Sequence, residues 1–131
     1  MKLKLFLPLL IVLAGCATGA TKPQDIISLA CAPSDQYQIE RCAEAVGDVY
    51  GVFQSRALKT VSEPGTPAEI KNALKKVDKE LTPAVRTLVQ TSNTYVLLRD
   101  AQSPEAVEQR RVLEAQLADV KPRVVILQTQ L

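Results

Sequence analysis

The side chains best equipped for chemistry in this chain are three cysteines, Cys16, Cys31 and Cys42, and the chain contains no histidine. A protein zinc site needs about four ligands, which are often cysteine and histidine together. Redox-active cysteine pairs usually form a Cys-x-x-Cys motif, whereas Cys31 and Cys42 are much farther apart in the sequence. The three thiols therefore favour covalent or structural roles over metal binding and redox catalysis.

Other catalytic side chains form no motif that we recognise. Histidine, the usual general acid–base group near neutral pH, is missing. The sequence has no glycine-rich phosphate loop, no Gly-x-Ser-x-Gly elbow and no metal-ligand cluster. A pair of catalytic carboxylates stays open, but the acidic residues occupy polar helix positions beside lysine or arginine, which is typical of solvated faces. We therefore expect no enzyme, no cofactor and no metal site.

The N-terminal segment has the layout of a secretory signal. Lys2 and Lys4 surround the start of an apolar stretch that runs from Leu3 to Ala14, and small residues follow it. This stretch is shorter than the roughly 20 apolar residues that a transmembrane helix requires. A cleaved signal peptide is therefore predicted rather than a membrane-spanning helix.

The end of this segment, Leu13-Ala14-Gly15-Cys16, resembles the lipobox of bacterial lipoproteins, in which small residues precede a cysteine. The resemblance implies diacylglyceryl transfer to Cys16, cleavage before it and N-acylation of the new terminus. An ordinary secreted protein with a stray cysteine is the alternative. In enterobacterial lipoproteins an aspartate after the cysteine favours the inner membrane, so Ala17 implies an outer-membrane anchor that faces the periplasm.

Cleavage before Cys16 also changes the charge of the chain. The full sequence has 16 basic and 14 acidic residues, and the loss of Lys2 and Lys4 leaves 14 of each. The mature chain is then formally neutral. We expect no nucleic-acid partner, because such proteins carry an excess of positive charge on one face.

With Cys16 acylated, Cys31 and Cys42 remain as an even pair. An exported chain enters an oxidising compartment, where such a pair most simply forms a disulfide. The residues before Cys31 form a predicted short helix with Pro23 in its first turn, and residues 33–35 form a turn. The disulfide should therefore connect two helical arms across a tight corner.

Three long amphipathic helices follow, each indicated by apolar residues at intervals of three and four. Ser34 or Asp35 is the expected cap of the first, and a capping box, Thr66-Pro67-Ala68-Glu69, opens the second after the turn residues 62–65. Ser103 opens the third. The apolar stripes are, in chain order, Ile39, Cys42, Val46, Val49 and Phe53; Ile70, Leu74, Val77, Leu81, Val85, Leu88, Tyr95 and Leu98; and Val107, Leu113, Leu117, Val120, Val124, Leu127 and Leu131.

Two prolines and a β-branched tail leave alternatives within these helices. The second stripe keeps its phase across Pro83, which favours one kinked helix over a fresh start at Thr82. Pro122 is expected to bend or restart the last helix. Residues 124–127 could instead form a strand, but no second strand is evident to pair with them, so a helix is preferred.

Together these elements predict an all-α fold, a small antiparallel bundle of three long amphipathic helices plus a short disulfide-linked N-terminal helix, after a cleaved signal peptide. The expected organisation is a signal peptide over residues 1–15, a lipidated anchor and linker over 16–24, and the bundle over 25–131. The core should be mostly aliphatic, because the chain has only 3 tyrosines, 2 phenylalanines and no tryptophan.

A row of small residues on the first long helix is a candidate helix-docking face: Ala43, Gly47, Gly51 and Ser55. Two glycines inside a helix each cost about 1 kcal/mol relative to alanine, so a compensating contact is expected. Small residues at this spacing let another helix approach closely. That helix belongs either to the bundle itself or to a partner protein.

A row of lysines, Lys71, Lys75 and Lys79 with Lys76 beside it, lies on the second long helix. One interpretation is a solvated face with acidic counterions nearby. The other is contact with anionic lipid or lipopolysaccharide beside the anchor. The nearby acidic residues are Glu69, Asp78 and Glu80.

These observations favour a non-catalytic binding or scaffolding component of the cell envelope, anchored to the membrane through lipid on Cys16. The expected partner is an envelope protein, and the oligomeric state stays open. The alternative is a prophage-encoded or immunity-type lipoprotein, active in superinfection exclusion, lysis or effector neutralisation. The helix start between Cys31 and Cys42, followed by a glycine-containing helix, is loosely similar to periplasmic helical immunity proteins but lacks their further cysteines.

Overall fold

The computed structural model describes residues 23–128, and no strand occurs among them. The predicted signal peptide, Cys16, the linker up to residue 22, and Leu131 lie outside the described residues. Within residues 23–128 there are four helices: α1 (Pro23–Cys31), α2 (Gln38–Ser62), α3 (Ala68–Leu98) and α4 (Pro104–Gln128), with a 3₁₀ turn at Arg99–Ala101. This confirms the predicted all-α helical bundle, and α1 begins slightly before the expected domain boundary at residue 25.

Helices α2 and α3 pack side by side in opposite directions. The Tyr50 hydroxyl lies 2.6 Å from Thr82 Oγ1, and Gln54 Nε2 donates to Asp78 Oδ1 at 3.2 Å. Advancing along α2 therefore moves the contact back along α3 by the same number of residues. Helix α4 packs against both of them, and α1 packs mainly against α2. The short connections over 63–67 and 99–103 make this up-and-down arrangement possible.

The predicted stripes form the core, except that on α4 Val107 is exposed and Leu127 is only half-buried. All five stripe residues of α2 are buried, and those of α3 are buried except for the half-buried Val77 and Leu98. On α4, Val107 is 68% exposed, and Ala106 is buried in its place. The prediction for Val107 was wrong because the face that carries Leu113 returns two turns earlier at Ala106, whose small side chain gave little sign of burial.

Neither internal proline divides its helix. Pro83 lies inside α3 and Pro122 inside α4, so the single-helix interpretation of the second stripe is confirmed. The strand alternative for residues 124–127 is wrong. Val124 follows Val120 on the same buried face of α4, one helical turn later.

The expected cap of α2 is wrong. Tyr37 is the N-cap residue and makes no side-chain capping bond. Asp35 instead closes the preceding turn, because its Oδ1 accepts from the Tyr37 backbone N–H at 2.9 Å and its carbonyl from Gln38 N–H at 3.3 Å. Ser34 Oγ accepts from Arg41 at 2.5 Å. Both side chains therefore stabilise the corner between α1 and α2 rather than the first turn of α2.

The expected capping box of α3 is also wrong. Pro67 is the N-cap, and the Thr66 hydroxyl donates to the Thr60 carbonyl at the end of α2, at 2.8 Å. The chain can reverse there because Gly65 adopts a φ of 86°, in the left-handed region that glycine tolerates. The turn predicted over residues 62–65 is present in the structure.

Ser103 opens α4 as expected. Its Oγ accepts from the backbone N–H of Ala106 at 3.2 Å, which satisfies a donor that the first turn of a helix leaves free.

Candidate functional site

The predicted disulfide between Cys31 and Cys42 is present and connects the last residue of α1 to α2. The two Cα atoms are 4.4 Å apart. Gln38 Nε2 donates to the Cys31 carbonyl at 2.8 Å, and Ile27 on α1 is almost fully buried. The bridge thus holds a short helix against the bundle, where its apolar face completes the core.

A polar cluster stabilises the same corner from the outside. The Arg41 guanidinium lies 3.0 Å from Asp35 Oδ1, and both side chains are about half exposed. The hydrogen bond from the Tyr37 backbone N–H, and secondarily the bonds and charge of Arg41, lower the pKa of Asp35 below its ordinary value. Asp35 is therefore held as a carboxylate that organises the turn.

The row of small residues on α2 does not lie in one environment. Ala43 is fully buried, and a Cβ added to Gly47 would lie only 2.9 Å from Val89 Cγ2 on α3. A Cβ added to Gly51 would meet nothing within 4 Å, and Ser55 is exposed. Residues four apart drift about 40° around a helix at each step, so the four residues of the row do not keep one common contact with α3.

The two halves of this row therefore have different surroundings, and a partner helix is a possible occupant for only one of them. The close approach expected at Gly47 is made by α3 of the same chain. Gly51 and Ser55 face open space or solvent, and docking of a partner helix on this part of α2 stays a prediction.

A polar cleft of about 470 Å³ opens between the first half of α2 and the last half of α3. From α2 it is lined by Glu40, Glu44, Gly47 and Asp48. From α3 it is lined by Val89, Ser92, Asn93 and Val96. We refer to these eight residues as the acidic cleft, because the wall contributed by α2 bears three carboxylates and the lining contains no basic residue.

One wall of the acidic cleft contains a buried ion pair. Glu40 is 8% exposed, and Arg99 Nη1 donates to its Oε2. The Arg99 guanidinium also stacks on the Tyr37 ring, with its Cζ 4.5 Å from the ring centroid. Two buried atoms of the pair, Glu40 Oε1 and Arg99 Nε, make no hydrogen bond. This pair was missed in the sequence, where Glu40 belongs to a polar helix position like the other acidic residues.

An apolar groove of about 430 Å³ lies between the second half of α2 and the first half of α3. Its wall includes Tyr50, Phe53 and Leu74, all buried, together with the exposed Leu58. Ser55, the last member of the small-residue row, also lines it.

Polar groups meet at the edge of this groove. Thr82 Oγ1 donates to Asp78 Oδ1 at 2.7 Å and lies 2.6 Å from the Tyr50 hydroxyl. Burial, assisted by the charge of Asp78, raises the pKa of Tyr50 above its ordinary value, although the hydrogen bond with Thr82 opposes the shift. The network therefore contains a buried phenol that stays protonated.

The lysine row on α3 has no acidic partner within ion-pair distance in the part of the chain that the structure describes. Lys75, Lys76 and Lys79 are exposed and Lys71 is half-buried, whereas the ion pairs found all involve arginine. Asp78, an expected counterion, accepts instead from Thr82 and Gln54. Its carboxylate therefore bonds to Thr82 on the same helix and to Gln54 on α2.

Across the described residues, no group of three or more His, Cys, Asp or Glu side chains is arranged to hold a metal ion. No helix between residues 23 and 128 is long and apolar enough to cross a bilayer. Comparison with protein-family models, with curated proteins and with solved structures found no match.

Proposed function

We propose that the protein is a lipid-anchored component of the bacterial cell envelope, which binds or scaffolds other envelope molecules without catalysing a reaction. The observation that carries this proposal is the lipobox-like segment Leu13-Ala14-Gly15-Cys16, at the end of a charged and then apolar N-terminus. The anchor is placed in the outer membrane, with the bundle in the periplasm, because Ala17 rather than aspartate follows Cys16.

The disulfide supports this proposal in two ways. Disulfides persist in oxidising compartments such as the periplasm and are rare in the cytosol. The pairing of Cys31 with Cys42 also leaves Cys16 as the odd cysteine of the three. An odd thiol in an exported protein is an oxidation hazard unless it is modified, and acylation would remove that hazard.

The bundle would work close to its membrane. Residues 17–22 separate Cys16 from the start of α1, and six residues span at most about 20 Å when fully extended. The acidic cleft and the apolar groove, both between α2 and α3, are the concave surfaces on which a binding role would rest.

Metabolic labelling tests the anchor. The full-length chain and its Cys16→Ser variant are expressed in a Gram-negative host that is fed an alkyne-bearing fatty acid. We expect labelled protein in the outer-membrane fraction for the parent chain and no label for Cys16→Ser. The matched control is Cys31→Ala/Cys42→Ala, which keeps the lipobox-like segment and should keep the label.

Labelling that persists in Cys16→Ser, or its absence from the parent chain, would refute the lipid anchor. The mass of the N-terminal proteolytic peptide of the parent chain gives an independent readout. It should correspond to a chain that begins at Cys16 and carries three acyl groups, of which two belong to the diacylglyceryl unit and one to the amine.

The binding role is tested by site-specific photo-crosslinking in the same cells. A photoreactive residue at Ser55 reports on the exposed part of α2, and one at Glu108, exposed on α4, serves as the control. A binding role predicts a discrete crosslinked species from position 55 that is absent from position 108. The same species from both positions would contradict a defined docking face.

A further inference from the structure

We propose that the apolar groove between α2 and α3 binds a free fatty acid, with the acyl chain in the groove and the carboxylate beside Lys75. This assigns a ligand class to the binding role proposed above and in that respect rests on it. The inference is carried by the apolar wall of the groove, by its length and volume, and by the lysines along one edge.

The groove presents an apolar surface long enough for one acyl chain. Tyr50, Phe53 and Leu74 in its wall are buried in the bundle, whereas Leu58 beside them is 69% exposed. Its α2 side extends from Tyr50 to Val61, which corresponds to about 16 Å of helix. The volume of about 430 Å³ lies within the range of about 300–1,000 Å³ that is usual for small-ligand sites. A linear chain that lies along α2 would remove Leu58 from water.

The charge at the edge of the groove favours an anionic headgroup. Lys75 lines the groove, and Lys71 and Lys79 lie about one helical turn before and after it on α3. Within residues 23–128, none of these three lysines has an acidic partner at ion-pair distance. Their ammonium groups are therefore available to the carboxylate of a ligand.

Asp78 is the one acidic residue in the lining of the groove, and it already accepts two hydrogen bonds. Thr82 donates to its Oδ1 at 2.7 Å and Gln54 at 3.2 Å. A cationic headgroup would have to share this carboxylate with both donors and would be repelled by Lys75. An anionic headgroup meets Lys75 without such competition, so the groove should prefer the anion.

A second copy of the chain fits the same groove less well. Two copies that met through this face in a twofold arrangement would present the same patch to each other. Each copy would then bring its own lysine row into the interface, and the like charges would oppose association.

Isothermal titration calorimetry tests the site with laurate, kept below its micelle-forming concentration. The full-length Cys16→Ser chain is used, because acyl groups on Cys16 could compete for the groove. We expect one laurate per chain and weaker binding of dodecyltrimethylammonium, which has a chain of the same length and the opposite charge. From decanoate to laurate, affinity should rise about two- to fourfold for each added methylene, since a fully buried methylene corresponds to about fourfold.

Two variants at exposed positions separate the headgroup from the chain. Lys75→Gln should weaken laurate binding by roughly two- to fivefold, as expected for an exposed ion pair, without weakening the binding of dodecyltrimethylammonium. Leu58→Gln should weaken both probes. The matched controls are Lys76→Gln and Leu97→Gln, which change an exposed lysine and an 84% exposed leucine of α3 outside the groove. Both controls should leave the affinities unchanged.

The absence of saturable one-to-one binding, equal affinity for the two headgroups, or equal weakening by the controls overturns the proposal. A dimer seen by sedimentation velocity that becomes monomeric in Leu58→Gln would also overturn it, because the groove would then belong to a second copy. The label on Cys16 is covalent and survives denaturation, whereas laurate in the groove is released. The lipid anchor and the fatty-acid site therefore fail separately.

Discussion

The Arg99 guanidinium donates to the Glu40 carboxylate across 59 residues of sequence, and this bond joins the start of α2 to the turn that ends α3. The Tyr37 ring covers the other side of the guanidinium. The same end of the bundle therefore contains a buried charge pair, an aromatic cover and one wall of the acidic cleft.

Removal of Arg99 should destabilise the fold more than removal of an exposed arginine. Arg99→Met leaves Glu40 buried without its cation, and we expect a loss of about 2–3 kcal/mol in the free energy of unfolding. This is below the roughly 3–5 kcal/mol typical of breaking a fully buried pair, because the Arg99 side chain is itself 28% exposed. Urea unfolding followed by circular dichroism measures the change.

Arg111→Met is the matched control, since Arg111 pairs with Glu108 on the exposed face of α4. It should leave the free energy of unfolding almost unchanged, because an exposed ion pair contributes little to stability. The double variant Glu40→Gln/Arg99→Met removes both charges and should recover part of the loss. A double variant less stable than Arg99→Met would contradict the role assigned to the buried charge.

The disulfide should contribute strongly to stability. Closing a loop with a sequence separation of 11 is worth about 3 kcal/mol on the chain-entropy model. Cys31→Ala/Cys42→Ala should therefore lower the free energy of unfolding by about that amount, and a reducing agent should have a similar effect on the parent chain. The double variant, in contrast, should show no sensitivity to the reducing agent. Equal sensitivity of both proteins would show that the agent acts elsewhere.

The two glycines of α2 should respond differently to the same substitution. Gly51→Ala introduces a methyl group into open space and should stabilise α2 by about 1 kcal/mol, the difference in helix propensity. At Gly47 the added methyl group would press against Val89, whose β-branched side chain has little rotamer freedom in a helix. The stabilisation expected from the higher helix propensity of alanine should therefore be lost in Gly47→Ala. Thermal and urea unfolding of the pair gives the comparison. Equal stabilisation by both substitutions would contradict the close contact at Gly47.

Because the pKa of Tyr50 is raised in the folded chain, we expect the protein to lose stability at alkaline pH. Burial raises its pKa in the folded chain above the ordinary value of 10.0, so the unfolded chain releases this proton at lower pH. The stabilising contribution is complete below the unfolded pKa and is lost as the pH rises through the folded pKa. Between about pH 9 and pH 11 the urea midpoint of the parent chain should fall more steeply than that of Tyr50→Phe.

Tyr37→Phe is the control for this titration, because Tyr37 is 39% exposed and lies at the far end of α2 from the groove. It should retain the steep alkaline dependence of the parent chain. A dependence that is equally steep in Tyr50→Phe would assign the alkaline loss to other groups.

Much of the fold was predictable because its signals are local. Apolar residues at intervals of three and four located α2, α3 and most of α4, and the cysteine count together with the predicted export signal indicated the disulfide. The burial predicted for Val107 was wrong, because the small Ala106 beside it occupies the buried position instead. The caps expected at Asp35 and Thr66 failed because these side chains bond across a turn instead of along a helix.

The acidic cleft was not predictable in the same way. Its row of carboxylates is visible in the sequence, but nothing distinguishes Glu40 from an ordinary solvated glutamate. The burial of Glu40 depends on the packing of α3 against α2 and on Arg99, which lies far away in the sequence. Only the antiparallel register of the two helices places Ser92 and Asn93 opposite the row.

The short sequence separation of the disulfide has a consequence for the order in which the structure forms. A chain that emerges N-terminus first from a ribosome or a translocation pore exposes Cys31 and Cys42 long before α3 and α4 appear. Oxidation can therefore join α1 to the beginning of α2 while most of the polypeptide is still confined. The ion pair between Glu40 and Arg99, by contrast, can form only after about three quarters of the chain has emerged. The corner at residues 31–42 is thus the first tertiary connection available to the chain.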